Sequence, residues 1–138
     1  MKLGVFASLC LVLVACSGGG GGNGSTPPTQ TLSGTYSGSL SDNQVGSGTV
    51  TLTLSQSGSS VSGQFADAFA NDSAANNSGS FAGSINGSTL KGTVTPSDPE
   101  SCPFKVTATV SGAGSTLSGS YAAFNCSVAD GGTFTASN

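Results

Sequence analysis

From Leu32 onward, apolar residues recur at every second position. A unit of aliphatic, any residue, glycine, any residue and a second apolar residue occurs at residues 32–36, 61–65, 90–94 and 117–121. Related alternating stretches lie around residues 50–54, 81–85, 104–110 and 134. A period of two is that of a β-strand with one buried face. The sequence therefore predicts an all-β fold of eight strands, with Ser and Thr on the outer face.

Three glycine-containing dipeptides predict two-residue hairpin turns: Ser57-Gly58, Asn86-Gly87 and Ala113-Gly114. These turns place Leu54 opposite Val61, Phe81 opposite Gly92, and Val110 opposite Leu117. In all three hairpins the apolar residues stay on one face, and a slip of one residue would invert that face. We therefore predict an eight-stranded antiparallel up-and-down meander barrel, with a β-sandwich as the alternative.

The loops differ in length between the two ends of this meander. The tight turns alternate with four longer connections, at residues 41–47, 66–79, 95–101 and 127–131. Alternate connections of a meander lie at opposite ends, so one end should carry every long loop. The first strand should enter at the other end, beside the tight turns.

All six acidic residues fall in or beside the long connections: Asp42, Asp67, Asp72, Asp98, Glu100 and Asp130. One interpretation is that acids suit turns and simply occupy loops. The other is an acidic mouth that binds a cationic ligand, a divalent metal or a basic protein patch. Asp42, Asp67 and Gln56 share the inward parity of the strands, but Gln56 lies beside a tight turn.

The amino terminus carries the features of a lipoprotein signal. Lys2 precedes an apolar stretch over residues 3–14, which is too short to span a bilayer. Leu13-Val14-Ala15-Cys16 resembles the lipobox of bacterial lipoproteins. The resemblance implies that residues 1–15 are removed, that Cys16 carries lipid and that the protein is anchored in the cell envelope. Ser17 after the cysteine favours the outer membrane.

The segment after the lipobox has the composition of a tether. Residues 16–31 form a flexible, glycine-rich linker with no apolar side chain to bury, and residues 32–138 form the β-barrel domain. Similar glycine runs follow the lipidated cysteine in surface lipoproteins of the transferrin-binding and factor-H-binding type.

Two cysteines remain once Cys10 is removed with the signal and Cys16 is lipidated. Cys102 and Cys126 should form a disulfide in an oxidising compartment. The register of the third hairpin places Cys102 opposite Asn125, so a β-bulge around Ala122-Ala123 is predicted to bring the two cysteines together.

The first strand also resembles that of a known barrel family. Leu32-Ser33-Gly34-Thr35-Tyr36 is similar to the Leu-x-Gly-x-Trp opening of avidin's first strand, within the avidin/lipocalin-like barrels. The resemblance implies a meander barrel. It does not imply biotin binding, because the chain has no tryptophan.

The composition excludes several functions. Lysines 2, 91 and 105 are the only cations, so a nucleic-acid surface is not expected. Without histidine, a nucleophilic Ser or Thr lacks its usual base. Asp98 and Glu100 remain as a carboxylate pair that could cleave glycosides, but both lie in a Pro-flanked loop, and we predict no catalysis, cofactor or metal.

The predicted function is a non-catalytic binding module that uses the distal loops or the barrel mouth. Its partner would be a small ligand or an envelope or host protein, with the membrane held through the lipid. The alternative is a protein-interaction lipoprotein, such as a protease inhibitor or a structural envelope component. A membrane-spanning barrel shares the loop asymmetry but requires aromatic girdles that the sequence does not show.

Overall fold

The computed structural model describes residues 30–138, which form one closed barrel of eight antiparallel strands in chain order. The strands are β1 (Gly34–Asp42), β2 (Gly46–Ser57), β3 (Ser60–Phe69), β4 (Ser78–Asn86), β5 (Thr89–Pro96), β6 (Phe104–Ser111), β7 (Thr116–Ala123) and β8 (Gly131–Ser137). β1 pairs with β8, which confirms the predicted barrel and excludes the sandwich. The predicted signal peptide, Cys16 and the predicted linker up to residue 29 lie outside the described residues.

The alternation of the sequence accounts for the core. Along every strand, buried apolar residues alternate with exposed residues that are mostly Ser and Thr. The buried apolar residues form one cluster, whose members all lie between Leu32 and Ala136. Because the sheet closes on itself, no strand edge is left for another chain to complete. Residues 30–138 therefore form a closed barrel with its own core, and we expect this part of the chain to fold as a unit.

Two of the three hairpins differ from the predicted register. The β2–β3 and β4–β5 turns are centred on Gly58-Ser59 and Gly87-Ser88, with φ +61° at Gly58 and +59° at Gly87. Positive φ at the first central residue alone is the pattern of a type II′ turn. The observed pairs are Leu54 with Gly63 and Phe81 with Val94, where the sequence predicted Val61 and Gly92. The shift is two residues, so the same side chains still face the core.

The third hairpin keeps the predicted register, but the predicted two-residue turn at Ala113-Gly114 is wrong, because residues 112–115 form a four-residue connection with a 3₁₀ turn at Gly112–Gly114. The hairpin also has no bulge. Val110 lies opposite Leu117, and the regular pairing continues to the end of β7 at Ala123. The predicted bulge at residues 122–123 is therefore wrong. Asn125 instead adopts a left-handed φ of +57°, which turns the chain toward the cysteine on the neighbouring loop.

The Cys102–Cys126 disulfide is present, with the two Cα atoms 6.0 Å apart. It joins the β5–β6 loop to the β7–β8 loop. Phe124 lies on the outside of the barrel, with the Lys105 ammonium 4.7 Å from the centre of its ring.

The three longest loops lie at one end of the barrel as predicted, but the β1–β2 connection at that end, residues 43–45, is shorter than the β6–β7 connection at the other end, residues 112–115. The tight connections at residues 58–59, 87–88 and 112–115 lie at one end of the barrel. Residues 43–45, 70–77, 97–103 and 124–130 connect the strands at the other end. The first of these is shorter than predicted, because β1 continues to Asp42 and β2 begins at Gly46.

The tight-turn end is closed by a plug of side chains. The chain enters there, since the Leu32 N–H donates to Gln56 Oε1 at 2.8 Å. The Tyr36 hydroxyl donates to the Gly114 carbonyl at 2.7 Å. The plug consists of residues no more than 1% exposed: Leu32, Tyr36, Val61, Ile85, Val110, Leu117 and Ala136. Gln56, predicted to face inward, is thus part of the closure rather than of a binding site.

Candidate functional site

The half of the barrel beyond the plug contains a cavity of about 390 Å³. This volume lies within the range of about 300–1,000 Å³ that is usual for small-molecule sites. Its deep wall is apolar and includes Leu52, Leu54, Phe65, Phe81, Leu90 and Val106. None of the plug residues lines it. Its outer part is lined by loop residues, among them the exposed Gln44 and Glu100, so the cavity opens toward the long loops.

Closure of the barrel creates the polar part of this mouth. Asp42 at the end of β1 and Tyr121 on β7 both lie opposite Gly132 of β8. Because Gly132 has no side chain, the Tyr121 ring can extend across β8. Its hydroxyl donates to Asp42 Oδ2 at 2.7 Å.

The Asp42 carboxylate also closes the short β1–β2 loop. Its Oδ1 accepts from the N–H groups of Gln44 at 2.7 Å and Val45 at 3.1 Å. Burial raises the pKa of Asp42, but hydrogen bonds from Gln44, Tyr121, Val45 and Asp130 outweigh it, and the pKa is lowered overall. Burial and the adjacent Asp42 carboxylate raise the pKa of Tyr121, which keeps its hydroxyl as a donor.

Asp67, on β3, is half-buried and held by the following loop. Its Oδ1 accepts from the Asn77 N–H at 2.6 Å, and its own N–H donates to the Asn77 carbonyl at 2.9 Å. Burial raises the pKa of Asp67, and the charges of Asp42 and Asp130 raise it further. Asp67 is therefore an acid whose ionised form is disfavoured by its surroundings.

Asp130 lies beside Asp42 at the end of the β7–β8 loop. Burial raises the pKa of Asp130, and so does the neighbouring Asp42 carboxyl. Its Oδ1 is buried and has no hydrogen-bond donor. Asp130 and Asp42 also share a hydrogen bond, which needs a proton on one of the two acids. When both are ionised that bond is lost, and only an added donor can satisfy this oxygen.

Of the other three acids, Asp72 and Asp98 accept hydrogen bonds within their own loops, and Glu100 lies at the cavity mouth. Asp72 Oδ1 accepts from the Ala74 N–H at the start of the 3₁₀ turn Ser73–Ala75. Asp98 accepts from the Glu100 N–H at 3.0 Å and from the Ser101 hydroxyl at 3.3 Å. Glu100 is exposed and lines the cavity mouth. Of the six acids, the structure thus places Asp42, Asp67, Asp130 and Glu100 on the cavity, whereas Asp72 and Asp98 form turns.

A metal centre is not supported at this mouth. Across residues 30–138, no group of three or more His, Cys, Asp or Glu side chains is arranged to hold a metal ion. The divalent-metal interpretation of the acidic mouth therefore has no ligand set within the described part of the chain.

Three residues of the mouth were not predicted from the sequence. Tyr121 was expected in the core, but its bond to Asp42 depends on barrel closure. Asn77 lay in an Asn-rich segment, residues 71–77, for which the sequence did not decide between a binding loop and a disordered insert. Val128, beside the disulfide, lines the cavity although it is 57% exposed, and it is the exposed large hydrophobic residue of the described region. The sequence signal available for Val128 was its position as the aliphatic residue of valine size within the predicted loop 127–131.

Comparison of the sequence with protein-family models and with curated proteins found no match. Within the described residues, no helix is both long enough and apolar enough to cross a membrane.

Neutralising Asp67 should stabilise the domain at neutral pH. The pKa of Asp67 is raised in the folded state, so the stability present below the unfolded value of about 3.9 is lost as pH rises through the folded pKa. Asn at this position keeps an acceptor for the Asn77 N–H but carries no charge. We expect Asp67→Asn to melt at a higher temperature than the wild type at pH 7, with the difference vanishing below about pH 4.

Thermal melts followed by circular dichroism at both pH values would measure this effect. Asp72→Asn removes the same charge from an exposed turn and should change the melting temperature little at either pH. An Asp67→Asn variant that is less stable than the wild type at pH 7 would contradict the prediction.

Proposed function

We propose that this protein is a non-catalytic binding module that holds a small, largely apolar molecule in the barrel cavity. The observation that carries the proposal is the 390 Å³ cavity, which has a closed apolar bottom and a mouth at the loops. Eight strands are just enough to enclose one small ligand. The plug residues are buried at the other end of the barrel and do not line the cavity, so a ligand would enter from the long loops.

The chemistry of the chain supports binding rather than catalysis. The sequence has no histidine, and both cysteines of the described region form the disulfide. Both carboxylate oxygens of Asp98 accept bonds from its own loop, which leaves the Asp98–Glu100 pair poorly placed for acid–base work.

The proposal predicts uptake of a neutral apolar dye. N-phenylnaphthylamine should increase in emission when it enters the cavity of residues 30–138 purified with the disulfide intact. Val106→Trp should weaken this binding at least about tenfold, equivalent to 1.4 kcal/mol, because the indole would occupy the cavity that Val106 lines. The variant should stay folded, since the larger side chain extends into open space.

Thr107→Trp is the matched control, because it places the same side chain one residue further on, on the outer face. It should bind the dye as the wild type does. Val50→Phe, a smaller addition to the same cavity, gives a second test if Val106→Trp does not fold. Equal dye binding by a folded cavity variant and the wild type would exclude the cavity as the binding site.

We further propose that the barrel is anchored to the cell envelope, with the outer membrane as the preferred site, through lipid on Cys16. The support is the resemblance of Leu13-Val14-Ala15-Cys16 to a lipobox. The described chain begins at the plug end of the barrel, so a tether there would direct the cavity mouth away from the membrane.

Replacing Cys16 should abolish anchoring. In a bacterial host, the wild-type chain should incorporate labelled palmitate and sediment with membranes, whereas Cys16→Ala should do neither. Cys10→Ala is the control, because Cys10 lies within the predicted signal and should be dispensable for lipid attachment. Unchanged labelling of Cys16→Ala would contradict the lipoprotein interpretation.

A protein partner for the long loops is the second candidate function. Val128 favours it, because this exposed apolar side chain lies on a loop that the disulfide holds in place. Such a partner would be an envelope or host protein, as in a protease inhibitor. Crosslinking from a photoreactive residue at position 128, with position 107 on the outer face as the control, would test it.

A further inference from the structure

The cavity changes in polarity along its length. Its depth is lined by aliphatic and phenylalanine side chains, whereas its mouth carries Asp42, Asp67, Asp130 and Glu100. A ligand that fills this space must have an apolar body and a head that can lie among carboxylates.

No basic side chain compensates these acids within the described region. Neither lysine of that region lines the cavity. Lys91 and Lys105 are exposed on the outer face of the barrel, and the Lys105 ammonium packs over Phe124. The acidic mouth therefore keeps its negative potential, which favours a cation and repels an anion.

One carboxylate oxygen at the mouth also lacks a donor. Asp42 has its oxygens occupied by two backbone N–H groups and the Tyr121 hydroxyl. Asp130 Oδ1 is buried and has no hydrogen-bond partner when both acids are ionised, because a hydrogen bond between Asp130 and Asp42 needs a proton on one of them. An ammonium group brings both the missing N–H donors and the opposite charge.

We propose that the ligand is a cationic amphiphile, with an alkyl or aryl body in the apolar part of the cavity and an ammonium head among Asp42, Asp67 and Asp130. This inference rests on the proposed binding function and specifies its ligand class. The ammonium donates to Asp130 Oδ1, and the body displaces solvent from the deep apolar wall. A fatty acid with an equally long alkyl chain should bind poorly, because the acidic mouth repels its carboxylate head.

The test compares three ligands that differ only in the head group. Dodecylamine, dodecanol and dodecanoate compete with N-phenylnaphthylamine for residues 30–138 at pH 7.5, each below the concentration at which it forms micelles. We expect the amine to bind at least about tenfold more tightly than the carboxylate and several-fold more tightly than the alcohol. Asp130→Asn should remove most of the advantage of the amine over the alcohol, measured as the ratio of the two affinities in the variant against the same ratio in the wild type.

Asp72→Asn is the control for loss of one acidic charge, since Asp72 lies outside the cavity lining. It should leave all three affinities as they are. Equal displacement by amine and alcohol, unaffected by Asp130→Asn, would overturn the cationic head while leaving the cavity as a binding site. Tighter binding of dodecanoate would overturn it as well. Absence of dye binding to the wild type would instead defeat the proposed function itself.

Discussion

Gly63→Val should prevent the barrel from folding. Gly63 lies on β3 between Leu54 of β2 and Phe81 of β4. A Cβ atom at this position would overlap the carbonyl oxygen of Thr53, which belongs to the backbone and cannot rotate away. Overpacking in a core usually costs about 1–3 kcal/mol, and a clash with the sheet backbone should exceed that range. Because a small domain has only about 5–15 kcal/mol of stability, the native barrel should be largely lost.

Near-ultraviolet circular dichroism and dispersion of the amide NMR spectrum would measure the loss. Ser62→Val introduces the same side chain at the neighbouring position, which faces solvent, and should change stability by no more than about 0.5 kcal/mol. Gly63→Ala introduces the clashing Cβ alone and should fall between the two. A Gly63→Val variant with wild-type stability would show that the strands can separate locally, contrary to the packing described.

Loss of the Cys102–Cys126 disulfide should have the second largest effect. The bridge spans 24 residues of sequence, and closing a loop of that length removes unfolded-state entropy worth about 3 kcal/mol. For a domain of this size, the double variant Cys102→Ser/Cys126→Ser should melt roughly 10–20 °C below the wild type. The same bridge holds the β5–β6 and β7–β8 loops at the mouth, so amphiphile binding should weaken too.

Thermal melts of the oxidised wild type, the reduced wild type and the double variant would measure this effect. The reduced protein should match the double variant, because both lack only the cross-link. The far-ultraviolet spectrum should stay that of a β-protein, since the eight strands pair without the bridge. A melting temperature within about 3 °C of the oxidised wild type would show that the loops are fixed by other contacts.

The strand pattern and the sorting of loops could be derived from the sequence because both depend on local rules. Alternating apolar residues define the inner face, and two-residue turns force antiparallel neighbours. In the β2–β3 and β4–β5 hairpins the predicted turn is one residue away from the observed turn, yet the predicted inner face is correct. Moving the turn from Ser57-Gly58 to Gly58-Ser59 changes every cross-strand partner, yet Leu54 remains in the core. A shift of two residues preserves the face.

The predicted bulge was wrong because the change in chain direction that brings Cys126 to Cys102 occurs after the end of β7. The sequence analysis had placed that change within the strand. Strand β7 stays regular to Ala123, and the left-handed conformation of Asn125 then redirects the chain to Cys126. Asparagine tolerates this region better than other side chains do. The composition of residues 122–126 permits either solution, and only the packing of the two loops selects one.

The sequence by itself determined that this chain forms eight strands with one apolar face, and that acids lie at the end opposite the entering chain. The tertiary structure decided which of those acids meet. Asp42 and Tyr121 are 79 residues apart and come together only because β1 pairs with β8 and Gly132 between them has no side chain. The plug likewise forms only because Leu32, which precedes β1, packs into the tight-turn end of the barrel. Local periodicity predicts a barrel but does not encode which distant side chains its closure brings together, so the division of the interior into a plug and a cavity emerged only in three dimensions.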